Sequence, residues 1–231
     1  MDAPHESPPP APRGLLGRLA AGLRRRFDPH AFRRFFDPYS RARWELSRMA
    51  IRLPQEDFEF RWFCRNVKEL RASRYLEIGS RDGASLYVVA AHLPKGSLIV
   101  SVDLPAARWG GPNGPENLRR IGERLARRGF RFHAIAADSH DPATLERVRQ
   151  AAVEEPFDAL FLDGDHTYEG VSMDWRMYRP LVRDGGLVGF HDLILSPRFP
   201  DVQVGRLFEE LKKTHRTEQR FRQYGLGLVR L

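Results

Sequence analysis

The residues best suited to chemistry begin with Glu77-Ile78-Gly79-Ser80-Arg81-Asp82-Gly83-Ala84-Ser85, which follows the short apolar run Tyr75–Ile78. Glycines at 79 and 83 let a backbone turn sharply and approach a ligand closely, and a helix pattern opens just after them. A dinucleotide site would read Gly-x-Gly-x-x-Gly, with a pyrophosphate on the helix N-terminus. Here Glu77 and Asp82 flank the loop instead. Carboxylates at that point disfavour a pyrophosphate and favour a ligand carrying a cationic ammonium. A second apolar run ends in Ser101-Val102-Asp103. An acid about 20 residues beyond such glycines is placed to bind ribose hydroxyls. A third run ends in Ala137-Asp138-Ser139, where a side chain could take an adenine amino group. Any one acid at a strand end reads as a helix cap. That reading does not account for Glu77, Gly79, Gly83, Asp103 and Asp138 together.

The elements that must position these residues follow from the pattern of apolar runs. After a lead-in helix over about 55–71, runs recur at Tyr75–Ile78, Leu98–Val102, Phe130–Ala136, Phe157–Leu162 and Leu187–Phe190, separated by helix-like stretches. Short apolar strands alternating with helices predict a parallel sheet covered on both faces. A helix near 204–214 precedes two closely spaced runs, 217–223 and 225–231, with Gly225 and Gly227 at the turn. This reads as a terminal hairpin, which makes one strand antiparallel.

Composition bounds the rest. The 231 residues, 42% of them hydrophobic, suit one α/β domain with a tail. The single cysteine, Cys64, sits among Phe60, Trp62 and Phe63 and reads as a buried thiol, and no disulfide framework marks secretion. No run of about 18 apolar residues exists to cross a membrane, and the acidic, proline-rich start does not read as a signal peptide. A cytoplasmic protein is expected. The net charge of +8 is localised, because residues 13–52 carry eleven arginines against three acids and the remainder balances. Residues 1–13 are proline-rich and predicted disordered. Residues 14–54 read as basic amphipathic helices broken at Asp28-Pro29 and Asp37-Pro38. Three roles suit them: peripheral contact with an anionic membrane through residues 14–50, nucleic-acid binding, or folding back as a cap or homodimer contact. The interleaved aromatics favour packing. The neutral remainder argues against nucleic acid as a partner, since phosphate binding needs a basic face.

The order Glu-x-Gly-x-x-x-Gly, Asp103, Asp138, then Phe161-Leu162-Asp163-Gly164-Asp165-His166, resembles the class I S-adenosylmethionine (SAM)-dependent methyltransferases. The stretch from Phe157 to Asp192, ending in Gly189-Phe190-His191-Asp192, is similar to a small bacterial O-methyltransferase group related to the catechol and macrocin enzymes. The resemblance covers residues 55–231. It implies a Rossmann-like doubly wound sheet of seven strands in the order 3-2-1-4-5-7-6. It further implies SAM as cofactor and a small-molecule or glycan hydroxyl as acceptor. Glu77 and Gly79 would border the methionine moiety, Asp103 the ribose, and Asp138 with Ser139 the adenine, and Ser80, Gly83 and Ser85 of the same loop would also bind the cofactor. His166 matches the position of a general base. Asp163, His191 and Asp192 match positions that hold a divalent cation in metal-dependent relatives.

The chain departs from that pattern at His191, where relatives have an acid or asparagine. Magnesium prefers oxygen ligands, so a histidine shifts preference toward manganese, iron or zinc. The alternative is a strand-end histidine bonded to backbone. Asp165 would orient His166 or cap the helix beginning near Thr167. The loop Trp109-Gly110-Gly111-Pro112-Asn113-Gly114 reads as a plain connection or a lid over substrate. Trp175 and Tyr178 read as core or interface aromatics. His92, His133, His140 and His215 show no site spacing.

Overall fold

Alternation along the strands decides the architecture. The computed structural model describes residues 37–104 and 114–231. The proline-rich tail, the basic stretch 14–36 and the loop from Trp109 to Asn113 lie outside the described residues. Strands β1 (Arg74–Ile78), β2 (Leu98–Asp103), β3 (Arg131–Ala136), β4 (Phe157–Leu162) and β5 (Val182–Phe190) are joined by β7 (Leu226–Arg230) and β6 (Arg216–Arg220). They form one seven-stranded sheet in the order β3-β2-β1-β4-β5-β7-β6. Strands β1 to β5 pair in parallel, and β7 runs antiparallel to both β5 and β6. This is the Rossmann-like doubly wound arrangement expected, with one antiparallel strand.

Successive strand residues point to opposite faces, and two cores result. Tyr75, Ile99, Ala159, Phe161, Leu187 and Leu228 pack on one face against α1 (Pro38–Arg48), α2 (Asp57–Glu69), α3 (Ala84–Ala90) and α4 (Gly114–Arg127). Leu76, Val100, Leu160, Val188, Phe190 and Val229 pack on the other face against α5 (Pro142–Ala151), α6 (Tyr168–Tyr178) and α7 (Val204–Leu211). Each fully buried Leu or Phe contributes about 1.5–3 kcal/mol. The two edge strands are guarded differently from the centre. In β6 the sequence Arg-Thr-Glu-Gln-Arg places charge along an edge that would otherwise pair with another chain.

Among the boundaries that differ from the sequence reading, two bear on the site. Strand β5 begins at Val182 rather than Leu187, because Gly185 takes a left-handed φ of 73° and the pairing with β4 is irregular between Phe157 and Ala159. The division drawn at 54/55 falls inside a single core. Tyr39, Ala42, Leu46, Ile51 and Leu53 belong to the cluster that holds Tyr75 and Phe161. Helix α1 starts at an Asp37 cap followed by Pro38, a pairing suited to a helix N-terminus. It docks through Glu45, which is 6% exposed and is met by the Tyr87 hydroxyl and by Arg128, with Arg124 at 3.9 Å. So residues 37–53 of the arginine-rich block belong to the domain, with their arginines on its surface. Cys64 is buried as expected. Tyr178 is fully buried, and Trp175 packs on Phe190 and His215 at 5.7 and 5.5 Å. Among the described residues no helix is long and apolar enough to cross a membrane.

Removing a buried carboxylate from its arginines leaves those cations without their counter-charge. Arg128 and Arg124 are partly exposed, so the cost falls below that of a fully buried pair. Glu45→Ala is expected to destabilise the fold by about 2 kcal/mol. A urea unfolding midpoint unchanged from the parent protein would show that α1 does not depend on this contact.

Candidate active site

Ligands of open α/β sheets bind beyond the carboxyl ends of the strands, and every sequence-selected residue lies at that edge. The turn after β1 carries Gly79 at φ 88° and Gly83 at φ 74°. A Cβ on Gly79 would stand 2.2 Å from the backbone oxygen of Asp163, so no side chain is possible there. Gly83 N donates to Ser80 O at 2.7 Å, closing the turn, and Gly83 itself is the left-handed N-cap of α3. Asp103 ends β2 and accepts the Arg81 backbone N–H at 3.0 Å, which fixes it beside the glycine loop. Its pKa is raised by burial, against the Arg81 bond.

Not all of the loop residues face open space. Glu77 is fully buried beneath the loop and accepts from the Tyr75 hydroxyl at 2.6 Å and from the Ser85 hydroxyl. Burial pushes its pKa up to about 8, the two hydroxyls oppose this, and the charges of Asp163 and Asp103 add to it. Glu77 therefore ties β1 to α3 instead of offering a free carboxylate at the surface of the cleft. Ser80 is 3% exposed and its hydroxyl has no protein partner. An orphaned buried hydroxyl in a ligand loop is a ready contact for a polar ligand. Asp138 is exposed and Ser139 half-buried at the end of β3. Asp138 Oδ1 accepts the His140 N–H at 2.9 Å, and the Tyr178 hydroxyl donates to Ser139 O at 2.6 Å.

The second cluster closes around Asp163. Its Oδ1 lies 3.2 Å from His166 Nε2 and 3.1 Å from His191 Nδ1. Asp192 Oδ2 lies 3.1 Å from the same His191 nitrogen and 3.5 Å from His166 Nε2. Two carboxylates and two imidazoles thus share one point. Burial pushes the Asp163 pKa up, but the charges and bonds of His191 and His166 outweigh it and hold the carboxyl well below its usual range. Burial disfavours charge on both histidines, yet Asp163 and Asp192 raise His166 and raise His191 well above the usual imidazole value.

His191 is not bonded to backbone through its ring. The ring is 5% exposed and packs between Phe161 and Tyr224, with centroids 6.3 and 5.5 Å away. Its Nδ1 is close to both carboxylates but poorly aligned, and neither ring nitrogen makes a hydrogen bond of good geometry. One ligand atom each from Asp163, His191 and Asp192 lie within 4.8 Å of one another. Unsatisfied nitrogens beside two carboxylates form a donor set that fits a divalent cation. Asp165 accepts the Thr167 N–H at 2.8 Å, and Thr167 caps α6.

Two residues escaped the sequence reading. Gln55 is 6% exposed and its Nε2 donates to Asp163 Oδ2 at 2.6 Å, across 108 positions. Its Oε1, on the same amide, is buried without a partner. A lone glutamine ahead of a helix carries no motif. Tyr224, in the β6–β7 turn, is held over His191 by its carbonyl, which accepts the Ile194 N–H at 2.8 Å. Glu59 fixes this turn by accepting backbone N–H groups of Arg222, Gln223 and Gly225. Only the neighbouring glycines signalled that a turn was there.

Sheet order and glycine loop define a class I methyltransferase-type fold. Residues 76–193 match the family described as Methyltransferase domain, about half of the chain, and the protein belongs to that family. Solved structures are similar in fold. One is the O-methyltransferase TomG from Streptomyces achromogenes in complex with SAM (TM-score 0.59, 18% identity, 84% of this chain and 89% of that one). Another is the O-methyltransferase from Bacillus cereus in complex with SAH (TM-score 0.59, 17% identity, 84% and 90%). A third is the methyltransferase MycE of the mycinamycin pathway, in complex with Mg, SAH and mycinamycin VI (TM-score 0.56, 20% identity, 81% of this chain and 53% of that one). Uncharacterized protein R132 of Acanthamoeba polyphaga mimivirus is 30% identical over 118 residues, 51% of this chain. The match spans half the length of that relative.

Because Gly79 abuts a carbonyl and holds a left-handed φ, Gly79→Ala is expected to cost about 3 kcal/mol or more. Thermal unfolding measures it. A variant as stable as the parent would mean that the β1 and β4 loops are not pressed together.

Proposed function

We propose that the protein transfers the methyl group of SAM to a hydroxyl of a small molecule or sugar, with His166 as the general base. The observation that carries this reading is the adjacency of two half-sites. The glycine loop with Asp103 suits a nucleoside, and Asp163, His166, His191 and Asp192 lie directly beside it. The SAM- and SAH-bound neighbours support the cofactor, and the O-methyltransferases among them support oxygen as acceptor.

The chemistry follows from what such a transfer needs. The sulfonium methyl is already electrophilic, so the chain must align an oxygen in line with it. A hydroxyl attacks poorly while it keeps its proton. His166 sits at the rim with its side chain 17% exposed, where it can meet an acceptor. Its neutral ring takes the hydroxyl proton and becomes the imidazolium that Asp163 and Asp192 stabilise. Asp163, Asp192 and His191 would hold a divalent cation, which supplies further polarisation of the acceptor oxygen when bound.

The pH dependence has a definite sign. A base must be unprotonated, and His166 titrates above the usual imidazole value of 6.5. Turnover is therefore expected to rise with pH through the neutral range and to level off above the His166 pKa. A flat profile between pH 6 and 9 would exclude His166 as the base. Transfer of labelled methyl from SAM to a panel of sugar and phenol hydroxyls tests the reaction itself. His166→Ala should lower kcat by about a hundred- to ten-thousand-fold while SAM binds as before. Asp103→Ala should weaken SAM by about tenfold, as loss of a charged hydrogen bond does, with the circular dichroism unchanged. Calorimetry that finds equal SAM affinity in the Asp103 variant would remove Asp103 from the cofactor site.

A further inference from the structure

One buried carboxylate at the same edge plays no part in the transfer. Asp174, on the inner face of α6, is 1% exposed. Its Oδ2 lies 3.5 Å from where a Cβ on Gly164 would stand, and Gly79 N lies 3.7 Å from that point. It therefore sits beneath the loops that follow β1 and β4. Its cationic contact comes from a third loop. His140, after β3, places Nε2 3.3 Å from Asp174 Oδ1 and 3.2 Å from the Gly170 carbonyl oxygen.

Both partners of Nε2 are acceptors, so that nitrogen carries a proton in either charge state. The second proton, on Nδ1, faces Asp138 at 3.9 Å. The charged groups around the ring are Asp174 on α6, Asp138 on its own loop and Asp165 from the loop after β4. Among the described residues no arginine or lysine pairs with any of the three. Among the described residues His140 is thus the one counter-charge of a buried acid, and a buried charge without a partner is costly. The loop that His140 anchors is the one bearing Asp138 and Ser139. It is tied to α6 at two points, by His140 Nε2 to the Gly170 carbonyl and by the Tyr178 hydroxyl to Ser139 O, while Asp174 Oδ1 faces the same Nε2 without a hydrogen bond of good geometry.

We propose that the His140–Asp174 pair is a positioning pair, which holds the Asp138–Ser139 edge in the shape that receives adenine and so couples SAM affinity to the charge on His140. This rests on the SAM reading above. The Asp174 contact raises the His140 pKa to about 8, burial opposes it, and the charges of Asp174, Asp138 and Asp165 add to the rise. Burial raises Asp174, and His140 opposes that. A histidine raised in this way contributes its full stabilisation below 6.5 and loses it as pH rises through about 8.

The test is calorimetric titration of the full chain with SAH between pH 6.5 and 9.5, for the parent protein and His140→Gln. Glutamine keeps a donor for Asp174 but no charge. The variant is expected to bind about tenfold more weakly at pH 7, and the ratio between the two proteins to close toward one at pH 9.5. Taking the ratio removes the titration of the ligand's own amine and of the other site groups. A ratio that stays constant with pH, or equal affinities at pH 7, overturns the inference. Parent protein that binds no SAH at any pH overturns the SAM reading, and this inference with it. His140→Arg, which keeps its charge throughout, provides the second variant should His140→Gln not fold. It should out-bind the parent at pH 9.5, and equal binding there counts against the pair.

Discussion

The contact on which the site depends is backbone against backbone. Gly79 lies where any Cβ would strike the Asp163 carbonyl, while Asp163 N donates to Ile78 O at 2.9 Å and Gly79 N donates to Val102 O at 2.8 Å. Three parallel strands are stitched together at their last residues. The stitch brings the glycine loop and the acid–histidine cluster into one cleft without any side chain between them. A nucleoside cofactor and an acceptor can then lie end to end, because the two loops that serve them share a wall.

Charge balance explains the second half of the cleft. Asp163 and Asp192 bring two negative charges into a poorly solvated place, where isolated charge is expensive. The carboxylates favour the protonated form of both imidazoles, which offsets that charge, and a divalent cation between neutral imidazoles would do the same. Metal ligands must be deprotonated, so cation and protons compete for the same donors. His191 sits at the centre of that competition, with Nδ1 3.1 Å from both carboxylates and aromatic rings on two sides. Replacing an asparagine or acid by histidine at this strand end adds a group that balances charge by itself.

What the sequence made legible is what repeats locally. The strand runs, the two glycines and Asp103 stand at positions fixed by the chain's own periodicity, so the edge could be read, while the strand order and the role of Asp163 came from the resemblance. Gln55, Tyr224 and Asp174 could not, because their roles depend on partners brought close only by the sheet. Asp174 is one acid on a helix, and His140 is one histidine in a loop. Their meeting needs the crossover that packs α6 beside the end of β3. For the block at 14–54 the aromatics favoured packing, and its described part, residues 37–53, does pack, though the sequence did not show against what. Arg41 and Arg43 stay at the surface beside Glu45 and Asp57, while Tyr39, Ala42 and Leu46 complete a core. Spacing along a helix shows which face is apolar but not what covers it.

Backbone strain marks the same two half-sites. Among the described residues, non-glycine residues with positive φ are Ala50, Arg71, Arg81, Val153, Glu154 and Asp192. Ala50, Arg71, Val153 and Glu154 follow the ends of α1, α2 and α5, where a left-handed residue commonly closes a helix. Arg81 and Asp192 have no helix to close. Each holds a conformation costing of order 1–3 kcal/mol, which persists only where the surroundings fix it. Arg81 turns so that its N–H reaches Asp103, on the cofactor side. Asp192 turns just after β5 so that its carboxylate comes back beside His191 and His166. The fold therefore stores strain at one residue in each half of the cleft. In both cases the strained residue aims a carboxylate or an N–H at a partner that regular strand geometry would have carried past.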